Sequence, residues 1–301
     1  MTAAVTARPV TPGENRPRKR SDASLRLRAA GNAVLYPLIA VAIVVAVWLG
    51  ITAIFNPPSY VLPTLPGVLQ SLGALVWSNP FSPTSMWPQL GSTLLGTLLA
   101  FGLGSVIGII IGVLMGEFAV VRKIIMPYLV ALQSLPKAAL VPVIVAWIGY
   151  GIWSKVAIGF ILAIFAVIVN TLQGVTAVDQ NQVQLVRSLG ASRWKELRYI
   201  RWPAALPSIF VGLELAIVYS LLGIVVAEVL GAQSGLGVEI TQLEGESDTT
   251  EIFALLIILS IVGYILHWAV SFAHRRLAWW DRPADGRRVK RSKITEKTTA
   301  V

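Results

Sequence analysis

What most limits the folds open to this chain is a series of apolar segments, each longer than the roughly 18 residues that carry a helix through hydrocarbon. They occupy 34–55, 90–116, 124–148, 152–172, 206–230 and 252–272. With 55% hydrophobic and 13% charged residues among 301, the chain has too little polar surface to cover that much apolar length in water. Backbone groups in lipid must be satisfied within the segment, so spans of this kind are helical. The fold class that follows is all-α: a polytopic membrane protein with six transmembrane helices. Its expected organisation is a disordered basic tail over 1–33, a first span over 34–55 and a loop with an interfacial helix over 56–89. A five-helix core over 90–275 and a second basic tail over 276–301 complete it.

The net charge of +10 is a topology signal, not a nucleic-acid footprint, and no nucleic-acid partner is expected. Of the 25 Lys and Arg, all but Lys137 and Lys155 fall in the two tails or next to the second at Arg275, at Arg122 and Lys123, or in the polar loop 179–207. The loops 56–89 and 231–251 contain none, while the second carries Glu239, Glu244, Glu246, Asp248 and Glu251. Lys and Arg accumulate on the cytoplasmic side of multi-pass proteins. Both termini and the 179–207 loop are therefore expected in the cytoplasm, with the protein in the cell (inner or plasma) membrane. The Pro- and Arg-rich first 28 residues bury too little to order themselves; their 16–20 run offers a contact to anionic membrane lipid. Segment 34–55 is too long for the apolar part of a signal peptide. Without cysteine there is no disulfide framework. His267 and His274 stand seven apart with no ligand spaced to join them, which reads as interfacial and not as a metal site.

Within this frame a few residues stand out. Residues 67–77 are amphipathic, with Val68, Leu69, Leu72, Leu75 and Val76 on one face, as suits a helix lying at the outer interface. The second span has small residues at strict four-residue intervals, Gly96, Ala100, Gly104, Gly108, Gly112 and Gly116. Such a stripe lets another helix come close, either as a static contact or as a moving central one. The third span is interrupted by Pro127, Pro136 and Pro142, and Lys137 sits beside the middle break, deep in the membrane. A cation there serves the translocation pathway or its gate, or it partners a carbonyl freed by the prolines, or Glu214. Glu214 lies in the inner half of the fifth span and needs a partner, whereas Glu228 lies at the outer end, within reach of water.

The 179–207 loop holds Arg187, Arg193, Lys195, Arg198 and Arg201 against Asp179 and Glu196, too much charge for hydrocarbon. Apolar residues recur at helical spacing on both sides of Gly190, predicting two short helices with a break there, and Pro203 and Pro207 mark the return to the bilayer. This loop resembles the cytoplasmic loop of permease subunits of ATP-driven, binding-protein-dependent importers. Their signature is Glu-Ala-Ala, three residues, Gly, nine residues, then Ile-x-Leu-Pro. Gly190, Ile200 and Pro203 fit it; Gln184, Leu185 and Val186 stand in place of Glu-Ala-Ala, and Trp202 in place of Leu. The stretches LQSLPKAALVPVIVAWIGYG (132–151), NTLQGV (170–175) and VVAEVLGAQSGLG (225–237) are similar to the nitrate, sulfonate and taurine permease group, which includes importers of pyrimidine-type precursors.

That resemblance implies a type I importer permease working as a homodimer with two separate ABC ATPase subunits and an extracytoplasmic substrate-binding protein. It assigns the ATPase contact to Gln184, Arg187, Ser188, Gly190, Ala191, Ser192, Arg193, Trp194 and Pro203, and the pathway or gate to Pro136, Lys137, Glu214 and Glu228. The residues themselves agree where they reach: the sequence has no G-x-x-x-x-G-K-[ST] phosphate loop, so ATP is expected on a partner chain. No cofactor, metal or catalytic group of its own is expected. The competing reading is an ion-coupled secondary transporter in which Lys137 and Glu214 exchange protons; a membrane enzyme lacks any nucleophile paired with a base. Lys137 favours a small anionic solute, unless Glu214 neutralises it.

Overall fold

In the computed structural model, residues 22–82, 85–278 and 280 are described; residues 1–21 and 281–301 of the two tails lie outside them. The chain forms two units, Met1–Pro57 and Pro58–Val301. Among the described residues the first contains one helix, α1 (Asp22–Phe55). It begins twelve residues ahead of the first span, where the sequence reading carried the disordered tail to residue 33. The Leu-Arg-Leu-Arg-Ala-Ala run before the apolar stretch consists of strong helix formers, so the helix continues past the segment that lipid requires. From Leu38 to Phe55 α1 is an unbroken apolar stretch of 18 residues.

The second unit comprises α2 (Leu65–Val76), α3 (Met86–Glu117), α4 (Ala119–Ser134), a 3-10 turn (Lys137–Leu140), α5 (Val141–Ile148) and α6 (Ile152–Thr176). It continues with α7 (Gln180–Ser188), α8 (Arg193–Glu196), a π turn (Leu197–Arg201), α9 (Trp202–Gly231), α10 (Leu236–Glu246) and α11 (Thr249–Leu277). Among the described residues, α1, α3, α6, α11 and the helical run ending in α9 are each long and apolar enough to cross a membrane. The sixth crossing, expected over 124–148, is not a single rod: α4 and the stretch Lys137–Ile148 are bent by 91°. Pro136 has no N–H to give and forces Leu135 out of helical geometry (φ −70°, ψ 139°), which ends α4 at Ser134. Pro142 sits in the first turn of α5, where the missing donor has no partner to lose, and Pro127 is carried inside α4.

The core is three helices deep, with α6 between α3 and α9. Small residues make this possible. A Cβ added at Gly108 would lie 2.8 Å from Val167 Cβ, and one at Gly112 would lie 2.6 Å from Thr171 Cβ. On the other side of α6, a Cβ at Gly223 would lie 2.7 Å from the Cα of Gly159. Here the two backbones touch, and lipid-embedded helices gain most of their adhesion from such close packing. The gaps are filled by Ala163, Val167 and Ala216 midway, and by Val175, Ala205 and Ile209 toward one end. Helix α11 packs on α9, with α2 against its start; α2 buries Val68 and Leu75. The end of the bundle where α3 and α6 finish and α9 begins carries the 179–207 loop and is called the loop end below; the opposite end is the far end.

Candidate functional site

At the loop end, Asp179 caps α7 by accepting from the Asn181 N–H at 2.9 Å, and Ser192 caps α8. Between them Gly190 adopts φ +78°, the left-handed conformation that ends α7 and that a side chain would resist. The outer surface of this hinge is open: Gln184, Arg187, Ser188, Gly190, Ser192, Arg193 and Trp194 are exposed, Trp194 to 70%. Ala191 and Pro203 are half-buried, Pro203 in the first turn of α9. Beneath the hinge, Glu196 is buried and holds two arginines. Arg187 donates through Nε at 2.8 Å and Arg201 through Nε at 2.7 Å, and Arg201 also pairs with Glu117 at the end of α3, at 3.3 Å. The hinge is thus fastened to two core helices, α9 by continuity and α3 by charge.

Midway along the core, Lys137 opens the 3-10 turn after the Pro136 break. Its Nζ donates to the Gln133 carbonyl at 3.2 Å, one of the last carbonyls of α4, left without a helical donor when the helix stops. Among the described residues it forms no ion pair. With Gln133, Leu162, Phe165, Tyr219 and Leu222 it lines a cavity of about 370 Å³. Glu214 is engaged elsewhere, its Oε1 standing 2.9 Å from Nδ1 of His274 on α11. The His274 ring lies on Phe210 at 5.1 Å and 6°. The Lys137–Glu214 pair on which the ion-coupled reading depends is therefore not formed, and His274 is a structural partner where an interfacial residue was expected. His267 lines a separate, largely apolar cavity between α9 and α11.

The far end corrects the reading of Glu228. It does not reach water: its side chain is fully buried, 3.1 Å from Nζ of Lys155 in the first turn of α6, itself only 2% exposed. Lys155 also donates to Ser92 Oγ at 2.8 Å and to the Ser234 carbonyl at 3.0 Å. The Glu228 carboxylate accepts from Thr93 Oγ1 at 2.9 Å and from the Gly237 N–H at 3.1 Å. One charge pair thus pins α3, α6, α9 and the start of α10. Gly235, at φ +116°, and Gly237 lie so close to Glu228 that a Cβ at either would collide with it.

The stripe on α3 divides between neighbours. Gly104, Gly108, Gly112 and Gly116 face Ala163, Val167, Thr171 and Val175 of α6, while Gly96 meets Ile224 and Ala100 faces Gly159. All six are thus placed in contacts within one subunit.

Residues 104–279 match the family described as binding-protein-dependent transport system inner membrane component. This chain belongs to that family. Among its relatives, the formylaminopyrimidine transport permease protein of Halalkalibacterium halodurans is 34% identical over 162 residues, 54% of this chain and 65% of that protein. The taurine transport system permease protein of Escherichia coli is 31% identical over 241 residues, 79% of this chain and 87% of that one. A chain of the MetNI methionine ABC transporter in inward facing conformations superposes with a TM-score of 0.56 at 18% identity, covering 71% of this chain and 99% of that chain. At that identity the likeness is one of fold. The protein is the membrane-spanning permease subunit of an ABC importer, a transport component and not a member of an enzyme family. As part of a binding-protein-dependent system it works with an ATPase and a substrate-binding protein.

The permease's sequence had concealed two groups of residues. Lys155 stands apart from the basic clusters with no role assigned by the sequence, yet it sits in the first turn of α6 and faces inward. A cation at the start of one span and a carboxylate at the end of its antiparallel neighbour lie at the same depth, and that was the available signal. Glu117, likewise, ends α3 at the depth where Arg201 precedes α9.

Proposed function

We propose that two copies of this permease form the membrane path of an importer for a small solute, with loop 179–207 docking on ATPase subunits in the cytoplasm. The solute, of the sulfonate or taurine kind or a pyrimidine-type precursor, arrives from an extracytoplasmic binding protein. The observation that carries this reading is the build of the loop end. An exposed hinge of Arg187, Ser188, Arg193 and Trp194 stands over the buried Glu196, which two arginines clamp. A surface that transmits force has to be accessible on one side and stiff on the other. The hinge continues through the π turn into α9 with Pro203 in its first turn, so a push on α8 reaches a core helix with no intervening loop. The cytoplasmic placement of both termini and the loop is supported by the clustering of Lys and Arg on that side. The pathway is read as passing Pro136 and Lys137, with Glu214 and Glu228 holding its walls.

The test is Gly190→Pro, which cannot adopt φ +78°, together with deletion of Ala191 to Arg193. Both variants are expected to reach the membrane, lose co-purification of the ATPase and lose uptake. Retention of ATPase association and uptake in either would overturn the reading.

A further inference from the structure

We infer that the cavity between the α4–α5 break, α6 and α9 is a binding site inside the permease for the anionic head of a small solute such as an alkanesulfonate or carboxylate, an inference that rests on the importer reading above. The first support is the break itself. Non-helical backbone at membrane depth is tolerated only where protein covers it or where it lines a wet cavity, and here the residues on either side of the break, Gln133 and Lys137, line about 370 Å³. At roughly 30 Å³ per water that is space for about a dozen waters, or for a solute of about ten non-hydrogen atoms.

The second support is the set of donors. Lys137 spends one proton on the Gln133 carbonyl and has two left. Neither the Gln133 amide nor the Tyr219 hydroxyl has a hydrogen-bond partner among the described residues, and both line the same cavity. An ammonium, an amide N–H and a phenol O–H share the lining, and among the described residues no carboxylate does. Lys155, the other lysine that stands apart from the basic clusters, is neutralised by Glu228. The cavity therefore has an uncompensated positive charge, the inverse of what a cationic solute requires, and a neutral solute would leave the ammonium unpaired. The third support is the opposite wall. Leu162, Phe165 and Leu222 are apolar, suited to a short carbon chain behind the anionic group.

The chain contains no cysteine, so Leu162→Cys places a single thiol in the cavity wall. The probe is the rate of N-ethylmaleimide labelling of full-length permease in lipid nanodiscs, with propanesulfonate or propyltrimethylammonium at millimolar concentration. Propanesulfonate is expected to slow labelling about tenfold or more, the factor worth about 1.4 kcal/mol of occupancy, and the cation to leave it unchanged. Adding Lys137→Gln is expected to abolish protection, and adding Lys137→Arg to keep it. Equal protection by both ions, protection surviving Lys137→Gln, or a thiol that never labels would each overturn the inference. Uptake that persists without ATP would sink the importer reading and leave the labelling result standing. Unprotected labelling in a permease that imports with its ATPase would sink the site alone.

Discussion

Replacing Lys155 by methionine keeps the length of the side chain and strips Glu228 of its counter-charge in a site where the two side chains are 2% and 0% exposed. At 3.1 Å and an effective dielectric constant near 20, the pair attracts by about 5 kcal/mol. That attraction offsets the cost of drying both ions, so the pair as a whole adds little; losing one partner is what costs, typically about 3–5 kcal/mol. Thr93 and the Gly237 N–H still serve the stranded carboxylate, which puts Lys155→Met near the lower end, about 3 kcal/mol. Glu228→Gln is expected to cost a similar amount, because Lys155 then keeps only Ser92 and the Ser234 carbonyl. The double variant has no buried charge and is expected to be more stable than the sum of the single losses by about 2 kcal/mol or more. The assay is an SDS unfolding titration of the purified permease followed by tryptophan fluorescence, run on all four members of the cycle. Independent sites add within about 0.5 kcal/mol; additivity here would refute the claim that these two charges hold the far end together.

Three further outcomes are expected. Gly112→Ala sets a Cβ 2.6 Å from that of Thr171 and is predicted to lower stability by about 1–3 kcal/mol, whereas Gly102→Ala meets nothing within 4 Å and is predicted to gain a few tenths or more in helix propensity; thermal melts in detergent compare them. Glu196→Gln weakens the grip on Arg187 and Arg201 and is predicted to cut uptake at least tenfold at normal membrane levels, measured by transport against quantitative immunoblot. Burial, with the charge of Glu251 adding to it, holds the Glu239 carboxyl above its ordinary value of 4.5. A value raised in the folded state means stability that is full below pH 4.5 and lost as pH rises through the folded value. Hydrogen exchange in α10, corrected for intrinsic rate, is expected to slow on acidification, and Glu239→Gln is expected to remove that dependence.

Much of the architecture was legible because lipid leaves few choices. Segment length and the clustering of Lys and Arg gave the spans, and Gly190 with the helical spacing around it gave two short helices broken at the glycine. The small residues of α3 gave a close-packing face but not its owner, since periodicity does not say which helix answers. Here α6 answers, with its own four-residue series from Ala163 to Val175. Distance along the chain also hid the polar contacts. Lys155 and Glu228 are 73 positions apart, and Glu214 and His274 are 60 apart. Depth along the span is a better guide than sequence separation: a carboxylate and a cation at equal depth on neighbouring helices are candidates for each other. The turn at Pro136 was legible as an interruption, but its 91° size was not. Proline removes a bond; how far the chain then swings depends on what it meets.

The backbone contact of Gly159 with Gly223 and the interlocked face of α3 on α6 leave no slack for sliding inside this trio. Three helices so tightly keyed behave like one solid wedge. Whatever reshaping accompanies a transport cycle is thereby displaced to its margins, such as the 91° bend around Leu135, where the chain is not keyed into the wedge.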